Sequence, residues 1–174
     1  YMPVTVTLKE LLDRRIIGRI LGMEYRELLD HHHGASYFRR WNSRRRFSNG
    51  LQLHKCSHHF DKMNYLLASH AIEVTASGGL STYGAAAPHE FSGERCSGCD
   101  HRERCPHSVY FDRPDEANPN YLGFFKYRSD PAAYTPDQCI FSPEIDIEDH
   151  FAAGIKFANG VYCSYSLCAF SSYE

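Results

Sequence analysis

Residues 78–143 carry no sustained periodicity; glycines, seven of the eight prolines and a group of cysteines interrupt every pattern. A structureless run of this length is unusual inside a compact domain. It confines regular structure to the two flanks, and it calls for something that pins the insertion.

The N-terminal flank predicts a linking helix at about residues 4–17. Leu8, Leu11, Leu12 and Ile16 recur at helical spacing, Thr5 or Thr7 is placed to cap its start, and Gly18 suits its end. Residues 19–29 read as a strand, residues 30–49 as a loop rich in His, Gly, Arg and aromatics. Residues 51–69 read as a second helix with Leu53, Phe60, Met63, Tyr65, Leu66 and Leu67 on its apolar side. Residues 72–77 read as a strand, where Val74 and Thr75 favour extended backbone. In the C-terminal flank, Asn159-Gly160 separates two apolar runs, 151–158 and 161–170, which is a strong hairpin signal. The expected fold class is α+β: one domain over residues 1–174, an open and mostly antiparallel sheet with helices packed on one face, and a long cysteine-containing insertion at about 78–143.

Composition narrows the function. Hydrophobic residues make up 43% and charged residues 23% of 174, ordinary for a globular domain. A formal net charge of -2 gives no electrostatic case for nucleic acid or an anionic membrane surface. Arg39, Arg40, Arg44, Arg45 and Arg46 do cluster around Trp41; Arg44 to Arg46 read as a solvated loop. No apolar run is long enough to span a membrane, and no signal peptide is visible. The internal run His31-His32-His33 reads as native sequence. Seven cysteines, an odd number not spaced as a disulfide framework, favour a reducing cytoplasmic setting. Cys56, Cys163 and Cys168 lie in apolar or amphipathic segments and read as buried small hydrophobes.

His54, His58 and Asp61 are spaced four and three apart, so one helix face would carry all three, with Lys55 and His59 on the next stripe. Two imidazoles, a carboxylate and an ammonium can move protons near neutral pH. The same spacing also fits a surface helix with polar residues facing water. His-x-x-x-His is a zinc spacing too, but a zinc hydrolase needs a glutamate after the first histidine, and Lys55 stands there.

Several stretches together resemble the C-terminal domain of the Gfo/Idh/MocA oxidoreductases. Tyr1-Met2-Pro3 followed by Leu8-Lys9-Glu10-Leu11-Leu12 resembles the junction between that family's Rossmann domain and its linking helix. Gly18-Arg19-Ile20 with Met23-Glu24-Tyr25 resembles its first C-terminal strand, and residues 34–41, Gly-Ala-Ser-Tyr-Phe-Arg-Arg-Trp, a loop of one branch. Residues 50–61, Gly-Leu-Gln-Leu-His-Lys-Cys-Ser-His-His-Phe-Asp, resemble the glycine-led catalytic helix. Ile145-Asp146-Ile147-Glu148-Asp149 and the following hairpin also fit.

The resemblance implies hydride transfer between NAD or NADP and a hydroxyl-bearing carbon of a sugar, cyclitol or derivative. It implies substrate on one side of the sheet and a homo-oligomer through its other face. The catalytic set it implies is His58, His54 and Lys55, with His58 at the position that exchanges a proton with the substrate hydroxyl. Lys55 is a candidate contact to substrate or cofactor. His32, Tyr37, Arg39, Trp41, Asp61 and Asp149 are candidate substrate contacts. The sequence departs from the family in two ways. His54 stands where an aspartate is usual, so that position supplies no fixed negative charge. Gly78-Gly79 and Gly84 do not form Gly-x-Gly-x-x-Gly, so the dinucleotide is expected to be held mainly by an N-terminal domain absent from this chain.

Cys96-x2-Cys99-x5-Cys105 is a compact group whose first pair has metal-ligand spacing. Cys139 is the candidate fourth ligand, with His101 and His107 as alternatives; free thiols, a disulfide or an iron–sulfur cluster are other uses of the same residues. Zinc here would fix the insertion and take no part in redox chemistry. Two rival functions follow: a family member using NAD transiently to cleave a glycoside, or a zinc-stabilised binding or scaffold domain.

Overall fold

The computed structural model describes residues 1–85, 87, 90–91, 93–109 and 136–174. Among the described residues, ten regular elements are seen. Helix α1 covers Pro3–Asp13 and strand β1 Gly22–Asp30; helix α2, His31–Phe38, follows directly. A 3₁₀ turn at Trp41–Ser43 leads to the short helices α3 (Arg45–Ser48) and α4 (Leu51–His54). Helix α5 (Ser57–Leu67), β2 (Ala71–Gly79), β3 (His150–Phe157) and β4 (Tyr162–Ser171) complete the set.

The four strands form one open sheet in the order β1-β4-β3-β2, antiparallel except for the parallel pair β1–β4. Alternation along β3 and β4 sorts its faces. Phe151, Ala153, Ile155, Phe157, Cys163, Tyr165 and Leu167 are buried, while Ala152, Gly154, Tyr162 and Ser164 are exposed. The buried side meets Leu29, Phe38, Leu51, Met63 and Leu67 in one core. The α+β expectation therefore holds, with an open sheet and its helices to one side.

The β3–β4 hairpin forms where Asn159-Gly160 placed it, by different turn chemistry. Gly160 takes φ +86, but Asn159 is not left-handed. Phe157 N–H donates to the Val161 carbonyl at 2.9 Å, enclosing three residues, and the Asn159 side chain bonds the Leu67 carbonyl and the Val161 amide. Three-residue hairpin loops use a left-handed residue in this way.

Residues 30–49, expected as a loop, are largely helical. Asp30 starts α2: its Oδ1 accepts from the His32 and His33 amides at 2.8 and 2.7 Å, and those bonds hold its carboxyl below the usual range. Gly34 lets α2 press onto β4, because a Cβ there would collide with the Ala169 carbonyl. The arginines beyond are tied down too. Arg44 pairs with Glu144 and Arg45 with Glu148 (2.8 Å), in place of the expected solvated loop.

The single helix expected at 51–69 is interrupted. Cys56 N–H reaches back to the Leu51 carbonyl at 3.3 Å, a widened turn that ends α4, and α5 starts at Ser57. Glu148, almost fully buried, fixes the first piece by accepting from the Gln52 amide (2.9 Å) while paired with Arg45. The unpaired amides at a helix start favour such a carboxylate.

Candidate active site

Tyr25 and Glu27 lie two residues apart on β1 and so share the helix-covered face. Tyr165 is the register partner of Tyr25 on β4. Helix α5 lays His59 over them, its ring 5.1 Å from that of Tyr25. His59 Nδ1 is 2.8 Å from the Tyr165 hydroxyl, and Nε2 is 3.5 Å from Glu27 Oε2. Glu27 Oε1 meets Lys55 Nζ at 3.1 Å. One proton arrangement satisfies both ring nitrogens: Tyr165 O–H to Nδ1, and Nε2–H to Glu27.

The environment sets each charge. Burial pushes His59 down, against the pull of Glu27, and favours the neutral ring. Burial alone would depress Lys55, but Tyr37 and Glu27 outweigh it and hold the ammonium above the ordinary lysine value. Burial raises the Cys56 thiol to about 11 and also raises Tyr165, so both stay protonated.

Above this network an aromatic surface opens to solvent. His54 stands edge-on to Tyr37 and Trp41, with ring centroids 5.9 and 5.7 Å away. Trp41 is 48% exposed. Partial burial, then Arg40 and His58, lower the His54 pKa. His58 is exposed at the start of α5, near enough to His54 and His59 that its charge depresses both. An aromatic wall, a held ammonium and an accessible imidazole thus share one solvent-facing patch.

Residues 9–174 match a family model described as "Oxidoreductase family, C-terminal alpha/beta domain". The chain belongs to the Gfo/Idh/MocA oxidoreductase family. It is 38% identical over 182 residues to a Bacillus subtilis (strain 168) protein named "Putative oxidoreductase YteT", covering 100% of this chain and 42% of that protein. Two solved structures share the fold. A "probable dehydrogenase" from Thermotoga maritima superposes with a TM-score of 0.53 at 14% identity, over 99% of this chain and 33% of its own. A myo-inositol 2-dehydrogenase from Lactobacillus plantarum gives 0.53 at 11%, over 98% and 34%. The chain spans less than half the length of the curated relative it matches.

Of the residues expected from sequence in this Gfo/Idh/MocA domain, the structure brings together Tyr37, Trp41, His54, Lys55 and His58. Four others stand apart. Arg39 is buried under the cysteine loop, where it bonds Cys96 Sγ at 3.6 Å and the His107 carbonyl; that burial removes it from a sugar-facing position. Asp149 is fully buried, and its Oδ2 accepts the amides of Ser81, Thr82 and Tyr83 at 3.0, 2.6 and 3.1 Å. It anchors the start of the insertion instead of lining a substrate face. Asp61 accepts the Tyr1 hydroxyl at 2.6 Å and ties α5 to the chain preceding α1; the break at Cys56 separates it from the helix of His54. His32 packs against His31 at 4.5 Å, in a group that extends to His107.

Sequence reasoning missed Glu27, Tyr165 and the buried role of His59. The Tyr25/Glu27 alternation on a strand was the available signal for the first. Nothing local pointed to Tyr165, because its partners in this network, His59 and Tyr25, are more than a hundred positions away. Of the expected insertion, residues 86, 88, 89, 92 and 110–135 lie outside the described residues. Cys96, Cys99, Cys105 and Cys139 are free thiols, and among the described residues no three His, Cys, Asp or Glu side chains are set to hold one metal ion. Among the described residues no helix is long and apolar enough to cross a membrane.

Proposed function

We propose that this chain forms the substrate-recognition and proton-transfer face of an NAD(P)-dependent oxidoreductase acting on a hydroxyl of a sugar, cyclitol or derivative. The observation that carries the reading is the Tyr37–Trp41–His54 surface beside His58 and the Glu27-held Lys55. The exposed Trp41 ring suits the C–H face of a sugar. Lys55 donates from a fixed position to a hydroxyl or carboxylate oxygen. His58, in its neutral form, takes the hydroxyl proton as the C–O bond becomes a carbonyl, and returns it in reverse.

Acceptance of the hydride is the chemistry a nicotinamide supplies when bound. The glycines here do not fit a dinucleotide cradle: a Cβ at Gly78 would strike Phe151 and the His150 backbone, so Gly78 serves sheet packing. The reading therefore places the nucleotide on residues outside this chain. The open sheet face, with Thr75, Ala152, Gly154, Tyr162 and Ser164 exposed, suits a second copy of the chain. Seven free thiols suit a reducing cytoplasm.

The test is reduction of NAD or NADP by the full-length protein against a panel of polyols and sugars. His58→Ala is expected to lower kcat by about 10²–10⁴-fold. Unchanged turnover in that variant, or no oxidation of any polyol, overturns the reading.

A further inference from the structure

We infer that Cys96, Cys99, Cys105 and Cys139 bind one zinc ion as a four-thiolate structural site that staples the insertion to the domain. The inference is independent of the proposed redox function.

The first argument concerns what holds this segment. Between Gly93 and Val109 only Cys96 is buried. Turn follows turn, with Cys99 N–H on the Cys96 carbonyl (3.3 Å), Arg102 on Cys99 (3.1 Å) and Cys105 on His101 (2.9 Å). Ordering each residue costs backbone conformational entropy. A segment that buries almost nothing apolar cannot offset that by the hydrophobic effect, and small loop-rich modules use a metal or a cross-link instead.

The second argument is convergence. The distant Cys139 is brought back by backbone pairing: its N–H donates to the Glu94 carbonyl at 3.0 Å, Cys96 N–H donates to the Asp137 carbonyl at 2.8 Å, and Arg95 bridges Gln138. The first and fourth cysteines therefore sit on adjoining extended segments. Cys105 lies within electrostatic reach of both Cys96 and Cys139. Cys99 Sγ lies 3.2 Å from where a Cβ on Gly93 would stand, so the chain passes closely over that sulfur.

The third argument is charge. Zinc with four thiolates carries a net charge of about -2. Arg39, only 4% exposed, donates to Cys96 Sγ at 3.6 Å and supplies a fixed positive charge at the site. A buried guanidinium beside a neutral thiol is poorly matched; beside a metal-bound thiolate it is well placed.

In the free-thiol form no three of these side chains are set to share an ion. Each sulfur turns about a single bond among three staggered positions, and sites of this class form as the ion binds. A hollow lined by Gly93, Ser97, Cys99 and His101 gives Cys99 room to turn.

The experiment is metal analysis of the full chain, purified under reducing conditions without chelator. About one zinc per chain is expected, falling at least tenfold in Cys139→Ser and unchanged in Cys168→Ser. Alkylation of the unmutated protein gives a second measurement that does not depend on a variant folding. Cys99, Cys105 and Cys139 are partly exposed as thiols and would label readily if free. Protection of these three that is lost on adding a chelator supports the site. Rapid labelling before chelation, iron with acid-labile sulfide, or a disulfide among the four overturns it.

Discussion

The Glu27 carboxylate lies 3.1 Å from the Lys55 ammonium, and both side chains are largely shielded from water. Lys55 is held above its ordinary 10.5 although burial alone would depress it. Glu27→Gln removes the negative charge and leaves burial in place, so the Lys55 pKa is expected to fall. A lysine whose pKa is raised by folding contributes stability below 10.5 and loses it as pH rises through the folded value. The variant should thus be less stable than the parent by ~1–2 kcal/mol at pH 8. The difference should close above the folded pKa of Lys55. Urea titrations of both proteins at the two pH values check this; a constant difference would falsify the pairing.

Asp149 gathers three consecutive amides just before the start of β3. Asp149→Ala leaves Ser81, Thr82 and Tyr83 donors without that acceptor, and Tyr83 is 1% exposed. A buried donor left unmet costs about 1–3 kcal/mol, and with Ser81 exposed and Thr82 half-buried the Tyr83 amide sets the scale, so a loss of about 1–3 kcal/mol is expected. Hydrogen exchange should accelerate first at residues 81–83. Were Asp149 a substrate contact instead, the variant would keep its stability and lose substrate affinity.

The hairpin and the α+β class were legible because each rests on local pattern: Asn159-Gly160 between apolar runs, and strand alternation. Helix α2 was not, since His31 to Gly34 have no apolar period. Its signals were the cap at Asp30 and a glycine whose need appears only once Ala169 of β4 is beside it. The break at Cys56 was hidden for the same reason. Leu51 to Leu67 keep helical spacing, and the carboxylate that fixes the start of the first piece, Glu148, comes from nearly a hundred residues on. The site inherits this limit. Side chains on one helix could be grouped from spacing, whereas the Glu27–His59–Tyr165 chain exists only through sheet register.

Two backbone positions should respond in opposite directions to small changes. Ala68 ends α5 at φ +47, a left-handed conformation that a Cβ disfavours, and it is exposed. Ala68→Gly is expected to raise stability by ~1 kcal/mol. Gly34→Ala places a methyl group against the Ala169 carbonyl, and overpacking against backbone should cost ~3 kcal/mol or more. Thermal melts of the two single variants test both, and equal melting temperatures would contradict the close approach of α2 to β4.

Acid should weaken the fold earlier than carboxylates alone would cause. Burial lowers the pKa of His54, His59 and His107 below 6.5. Between 6.5 and each folded value the unfolded chain binds protons that the folded chain refuses, so stability falls as pH falls through that window. Asp30, held below its ordinary 3.8 chiefly by the His33 amide, adds a second loss further down. The melting temperature should therefore be steady above about pH 7 and decline from about pH 6.5 downward. His59→Gln removes one contributor and should flatten the decline between pH 6.5 and 5. A slope unchanged in that variant would mean that His59 takes up its proton equally in the folded and unfolded chains, and a steeper decline would mean that the ring against Glu27 and Tyr165 is already protonated in the folded chain, reversing the proton arrangement assigned to the network.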